Sequence, residues 1–365
     1  MARWELLSDE QAQVTWDESL LRFADSSPFQ TYEWAQYKRS LGWQPCYWAA
    51  FDDNGKIVAM MLGGLKRYLF GVGLVLCEGG PVGDLSTCND SLHAAMRETT
   101  GLKRIYCRFR CDRQREVEDT LRLTSQGWSR SWFGLTSGYS MILPLDRSEE
   151  QVMAGCERNW RRNLKNSWER SLTVKRWENP NPAEVISVYL SMQKAKNLEQ
   201  QHTLQEVEEI FNHLESLVLF RCEDEDGELL SLSGCLVIGN RAVLLLSACG
   251  ERGRETLAAY AVLWGLIKHC LSLGIKELDL AGIDPVRNPG VHRFKRASGA
   301  KAVEYLGEWD WASSSWLQWF GNWAISRRQR LEKAVSTLET LKVSAPPRKS
   351  SGEIPVVKLR HPKAA

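Results

Sequence analysis

Two stretches of roughly 50 residues in this chain follow the same plan, and that repetition limits the available folds more than any other feature. In the first, an apolar run from Cys46 to Phe51 reaches the turn Asp52-Asp53-Asn54-Gly55 and resumes from Ile57 to Leu62, which predicts a hairpin. A strand from Gly73 to Cys77 then meets Glu78-Gly79-Gly80-Pro81. A helix is predicted over about Ser91 to Glu98, and after Gly101 another strand runs from Arg104 to Phe109. The second stretch has strands from Leu217 to Cys222 and Leu229 to Val237 around the turn Asp224-Glu225-Asp226-Gly227. A strand from Ala242 to Cys249 meets Gly250-Glu251-Arg252-Gly253, followed by a helix from Thr256 to Leu273, Gly274 and a strand from Glu277 to Leu280. Gly55 precedes Cys77 by 22 residues, and Gly227 precedes Cys249 by 22. From those cysteines to Gly101 and Gly274 the distances are 24 and 25 residues. Order and spacing together predict two duplicated α/β (α+β) domains.

A chain of 365 residues is too long for one ordinary core, which agrees with two units. The expected division is 1–150, 151–304 and a C-terminal segment 305–342, with 343–365 a disordered basic tail rich in Pro, Ser and Lys. The net charge of +2 conceals an asymmetry: from Ser326 onward ten Lys or Arg face three Asp or Glu, leaving the remainder at −5. Of the ten cysteines, Cys77, Cys107, Cys235, Cys249 and Cys270 lie in apolar runs, no CxxC occurs, and the six histidines lack ligand spacing. The expectation is a reducing, cytoplasmic setting with no metal. The polar start MARWELLSDE does not read as a signal peptide, and the longest apolar run, Tyr68 to Cys77, is far short of a membrane span.

Four further segments carry side chains of interest. Pro28 to Trp43 predicts an amphipathic helix burying Trp34, Tyr37 and Leu41, with Lys38 close to that stripe. Glu157 to Trp177 holds seven basic residues against two acidic ones. There Trp160, Leu164 and Trp168 mark one helix face, and Arg158, Arg161, Arg162 and Lys165 the roughly opposite one. Such a basic face is commonly just solvated; it equally suits a polyphosphate or RNA backbone, because Arg grips phosphate oxygens with two donors. Trp316, Trp319, Phe320 and Trp323 have helical spacing and precede Arg327, Arg328 and Arg330. A stripe like this is more often core; Trp beside Arg is also what an interfacial helix uses, so a peripheral membrane contact is the second expectation. Finally, Leu278 to Ala300 reads LDLAGIDPVRNPGVHRFKRASGA. The strand breaks at Gly282, Asn288 caps a short helix with Pro289 at its first position, and Gly299 falls just past its end. Taken by itself this is a tight connection with a basic helix, or a loop-and-helix that carries function.

The run GIDPVRNPGVHRFKRASG, with EWAQYK at 33–38 and the basic segment Arg158 to Arg176, resembles the FemABX family of peptidyltransferases. The resemblance spans roughly Phe29 to Arg328 and implies two GNAT-like acyltransferase domains in tandem, which is also the plan of the repeat above, with 305–342 packing back on the first. It implies catalysis by Lys295 with Phe294 shaping the adjacent wall, and substrate binding by Lys38, Arg293, Arg296 and Tyr260. Arg158, Arg161, Arg162 and Lys165 would meet tRNA phosphates. The implied donor is aminoacyl-tRNA and the implied acceptor a peptidoglycan precursor, lipid-linked or nucleotide-linked, or another peptide amine. Neither a metal nor a free cofactor is needed, and the place of action would be the cytoplasm or the inner face of the membrane. Two departures concern the acceptor: His202 and Glu206 stand where members carry an Arg and a Tyr, and Leu246 where they carry a Tyr.

No nucleophile elbow, phosphate-binding Walker loop, dinucleotide fingerprint or paired-carboxylate motif occurs. That suits attack by an amine on an already activated ester, which needs orientation and a cation for the developing oxyanion. Two other readings stay open. One is an acyl-CoA-dependent N-acyltransferase, for which Gly250 to Glu255 is a poor pyrophosphate loop. The other is a non-catalytic RNA- or membrane-binding module, against which the intact RFKR run argues.

Overall fold

A computed structural model describes residues 2–196, 202–286 and 288–327. The expected tail, 343–365, lies outside the described residues, as do Arg328, Arg330 and Arg287. Eight strands fall in the first part of the chain: β1 Arg3–Leu7, β2 Gln44–Phe51, β3 Ile57–Tyr68, β4 Val72–Glu78, β5 Val82–Gly83, β6 Arg104–Gln114, β7 Ser129–Arg130 and β8 Tyr139–Pro144. Six follow: β9 Thr173–Arg176, β10 Leu217–Glu223, β11 Leu229–Ile238, β12 Arg241–Cys249, β13 Glu277–Gly282 and β14 Lys301–Ala312. All join one sheet of spatial order β1-β2-β3-β4-β6-β14-β8-β13-β12-β11-β10-β9, with β5 and β7 as side pairings.

The duplication is visible in that order. Read inward from either edge, four antiparallel neighbours lead to one parallel pair, β4–β6 in one half and β12–β13 in the other. The halves exchange strands at the centre. Residues Lys301 to Glu304 of β14 pair with β8, and Tyr305 to Ala312 pair with β6. β8, late in the first half of the sequence, pairs with β13 of the second. Residues Tyr305 to Ala312 thus lie in the sheet beside β6 of the first half.

Both hairpins form where their turn chemistry requires, with Gly55 and Gly227 in the left-handed region and Asp52 and Asp224 accepting from backbone N–H groups. The helix predicted from Pro28 is a 3₁₀ turn, Pro28–Gln30, and then an α-helix, Tyr32–Ser40, restarted by the Thr31 cap. The helix predicted over Thr256 to Leu273 forms as Ala258–Ser272; a short helix not predicted, Glu251–Glu255, precedes it, and Leu257 at φ +62° separates the two. β1 and the helix Asp9–Leu20 were not anticipated.

Three cores result. One fills the outer face of the first half around Trp48, Phe109 and Trp309. A second lies under Ala258–Ser272 and Arg158–Trp168 in the second half. The third is common to both halves, joining Trp16, Tyr47 and Met60 to Tyr189, Leu219 and Leu246. Of the stripe predicted for the basic helix, Trp160 and Leu164 are buried but Trp168 is 59% exposed. Eight residues turn a helix about 80° past two full circles, so the third member leaves the face. The expectation of a buried aromatic stripe at 316–323 also fails, because these rings point outward. The helix over 315–327 packs instead through Leu317, Gly321 and Asn322, where a Cβ at 321 would come within 2.6 Å of the Tyr106 ring.

β3 and β4 pair only as far as Gly64 with Leu76, and Gln30 fills the gap beyond. Its Nε2 donates to the carbonyls of Leu62 and Glu78 (3.2 and 2.7 Å), and its Oε1 accepts from Leu62 N (2.7 Å). This fully buried amide thus stands in for the next rung of the ladder. Gln30→Ala should cost about 2–4 kcal/mol in urea unfolding, since buried backbone groups lose their partners; a loss under about 0.5 kcal/mol would show that the rung is dispensable.

Candidate functional site

In the first half the gap lies between the antiparallel β3 and β4, whereas in the second it lies between the parallel β12 and β13. β12 and β13 pair only through Arg241, Ala242 and Val243 with Glu277, Leu278 and Asp279, then diverge. Beyond the divergence β13 bulges against β8 between Asp279 and Gly282, with Ala281 at φ +63°. This non-glycine in the left-handed region turns two consecutive carbonyls toward the next helix, Pro289–Ala297. Lys295 Nζ donates to both, at 3.1 Å to Ala281 O and 2.9 Å to Gly282 O. Asn288 Oδ1 accepts from Val291 N at 3.4 Å, and Gly299 ends the helix at φ +91°.

Burial pushes the Lys295 ammonium down to about 8, and the charge of Asp279 opposes that fall. Asp279 is itself buried and accepts from Ser140 Oγ, Tyr305 OH and Ala281 N. Tyr305 sits where β14 changes partner from β8 to β6, so this hydroxyl ties the exchange point to the bulge. Burial first, and Asp279 second, raise the Tyr305 phenol, keeping it protonated. Two of the three Lys295 donors are committed, and the third has no acceptor among the described residues.

Phe294 stacks edge-on against Tyr260 (5.0 Å between centroids) and leans on Trp160 (6.4 Å). Tyr260 OH accepts from Asn163 Nδ2 at 3.0 Å. Phe294 and Tyr260 are therefore in contact, and Lys295 follows Phe294 in the same helix with its ammonium on the Ala281 and Gly282 carbonyls. Arg293 and Arg296 are both exposed, and Arg296 Nε reaches Glu157 at 3.3 Å.

Lys38 belongs to the opposite half. It pairs with Glu78 at 3.1 Å, where Trp34 Nε1 also donates, and its ammonium lies 5.8 and 5.6 Å from the Trp34 and Trp43 ring centres. Burial resists the Glu78 charge, but Lys38 and Arg110 outweigh it and hold the carboxyl below its usual range. Arg110 in turn binds Asp112 at 3.1 Å. Burial raises the Asp112 carboxyl while Arg110 lowers it, and it senses Asp279 and Arg241 across the divide. A row of charges thus runs from Lys38 through Glu78, Arg110 and Asp112, alternating in sign, to a second acid, Asp279, and then to Lys295. Sequence reasoning missed its middle. The visible signal was a lone acid between leucines, Leu278-Asp279-Leu280, and charges alternating with apolar residues in Phe109-Arg110-Cys111-Asp112.

The basic helix presents Arg158, Arg162 and Lys165 to solvent, with no ion pair among the described residues. Arg161 is turned back onto the carbonyls of Ala154 (3.0 Å) and Cys156 (2.6 Å), so it caps the preceding helix instead of extending that face. His202 packs edge-on to Tyr189 (5.1 Å), and Glu206 completes a capping box with Thr203. Among the described residues no group of three or more His, Cys, Asp or Glu is placed to hold a metal, and no helix is long and apolar enough to cross a membrane.

Residues 181–324 match the FemAB family, and the FemABX resemblance read from the sequence holds. The fold is that of FemX, with a TM-score of 0.68 at 17% identity over 84% of this chain and 96% of that one. A tandem GNAT protein from the clavulanic acid biosynthesis pathway aligns at 0.54 and 10% identity, over 86% and 99%. L-PGS from Bacillus licheniformis aligns at 0.51 and 14%, over 84% and 92%. No curated protein matches the chain.

Proposed function

We propose that this FemABX-type chain is an aminoacyltransferase, moving an amino acid from aminoacyl-tRNA to an amine of a peptidoglycan precursor or similar peptide. The FemAB match supports acyl or aminoacyl transfer in the broad sense; the donor, the acceptor and the role of Lys295 are our reading. The observation that carries it is the half-buried Lys295 ammonium beside the strand divergence, held by two carbonyls with one donor uncommitted.

In this reading the acceptor amine attacks the ester carbonyl, a C–N bond forms, and the carbonyl electrons move onto oxygen. Lys295 stabilises that oxyanion. As the tetrahedral species collapses the C–O bond to the ribose breaks, and the proton lost by the amine ends on the departing ribose oxygen. Phe294 and Tyr260 wall the acyl side. Arg158, Arg162 and Lys165 are available to phosphates of the donor, and Lys38 would meet a diphosphate of the acceptor only in competition with Glu78.

An acyl-CoA donor is less well served. Gly253 packs where a Cβ would lie 2.3 Å from Leu230 O, and Arg252 is bound to Asp224 at 2.7 Å and to Glu228. The loop is spent on its own neighbours. The test is incubation of the pure protein with labelled aminoacyl-tRNA pools and either the nucleotide-linked or the lipid-linked precursor. Label should appear in one precursor; label from acetyl-CoA and from no tRNA pool would overturn the proposal.

A further inference from the structure

The helix over 315–327 is inside out. Trp316, Trp319, Phe320 and Trp323 lie within one face about 100° wide, and all four are exposed, Trp316 by 66%. The rings stack on one another, Trp316 on Phe320 at 5.4 Å and Trp319 beside Trp323 at 6.4 Å, and Arg327 covers Trp323 at 5.3 Å. Leu317, Gly321 and Asn322 face the protein instead: Asn322 Oδ1 accepts from Arg108 and from Trp132 N, and Gly321 meets Tyr106.

A second apolar point lies at the same end of the sheet. Between β3 and β4 the chain turns through Leu69 and Phe70, 82% and 87% exposed, with Phe70 at φ +61°. Phe70 O accepts from Arg104 at 3.5 Å, and the next residue, Ile105, exchanges hydrogen bonds with Ser313, just before the aromatic helix. Lys66, Arg67, Lys103 and Arg104 flank the tip. Glu98, near the end of the helix Asp90–Thr100, is an exposed acid close in sequence to Lys103 and Arg104. Downstream, residues 328–365 add nine Lys or Arg against three Glu.

We infer that this aromatic face and hairpin tip dock on a bilayer carrying anionic headgroups. Trp and Phe suit the boundary between headgroups and acyl chains, and a surrounding excess of cations is attracted by anionic lipid. The charge bias decides among occupants: a second copy would bring the same cations against these. The docking end is distinct from the end of β4 and β6 that carries Glu78, Arg110 and Asp112, so the inference stands independently of the transfer chemistry.

Flotation of the full chain with vesicles of phosphatidylglycerol and phosphatidylcholine, against phosphatidylcholine alone, tests it. The anionic vesicles should carry the protein, with the tryptophan emission shifted to the blue. A Trp316→Ser, Trp319→Ser, Trp323→Ser variant with unchanged circular dichroism should partition at least ~10-fold more weakly, as expected when interfacial rings are lost. Phe70→Ser alone should weaken it by a smaller factor. Equal binding to neutral vesicles, no flotation, or flotation unaltered by the triple variant would overturn it, as would concentration-dependent dimerisation abolished by the same substitutions.

Discussion

Lys295→Ala is expected to lower kcat by roughly 10²–10³-fold with KM little changed, the loss typical of removing one oxyanion donor. Folding should survive, because the lysine hydrogen-bonds two carbonyls that water can reach once the side chain is gone. The pH profile separates this role from that of a general base. With the ammonium pushed down to about 8, the cation is present below that pH and lost above it. An oxyanion stabiliser therefore gives a rate that falls as pH rises through about 8, and a base gives a rate that climbs there. Lys295→Arg, which keeps its charge, should abolish the fall even if it is slow. A rising limb near 8 in the parent enzyme would exclude the electrostatic role.

The largest effect on stability is expected at Arg108. This guanidinium is almost wholly buried, makes a two-pronged contact with Asp310 (2.7 and 3.0 Å), and also reaches Glu308, Tyr106 OH, Phe133 O and Asn322. Asp310 is fully buried, so Arg108→Met would strand a carboxylate with no counter-charge. A loss of about 3–5 kcal/mol is expected, read from urea unfolding. Adding Asp310→Asn should recover part of it; no recovery would mean that packing and not charge carries the loss. The arginine also joins β6, β14 and the helix over 315–327, so loss of the pair should loosen that helix first.

The repeat was legible because hairpin turns and strand-to-helix spacing are local properties, and Gly55, Gly101, Gly227 and Gly274 mark them without reference to the rest of the chain. The capped helix after a broken strand was legible for the same reason, while Lys295 and Phe294 within it were singled out by the family resemblance of the RFKR run. Asp279 was not, since its value comes from Ser140 and Tyr305, which are 139 and 26 residues away. The exchange of β8 and β14 has no local signature, because only pairing tells which half holds a strand. The orientation of the 316–323 stripe was misread because spacing defines a helix face but not what that face meets. There the deciding residue was Gly321, whose missing side chain lets the helix lie on Tyr106.

The shared strand β14 also bears on how the polypeptide is made. A ribosome delivers β2 to β6 early, but the neighbour β6 needs is supplied only when residues 305–312 emerge. β8 likewise waits for Glu277 to Gly282 and then for Lys301 to Glu304. The N-terminal unit is thus held open through most of translation, its inner sheet edge unpaired over some 190 intervening residues, as the span from Gln114 to Tyr305 shows. Maturation is set by the last strand to arrive, and fragments ending before residue 301 should be clients of chaperones and prone to aggregation.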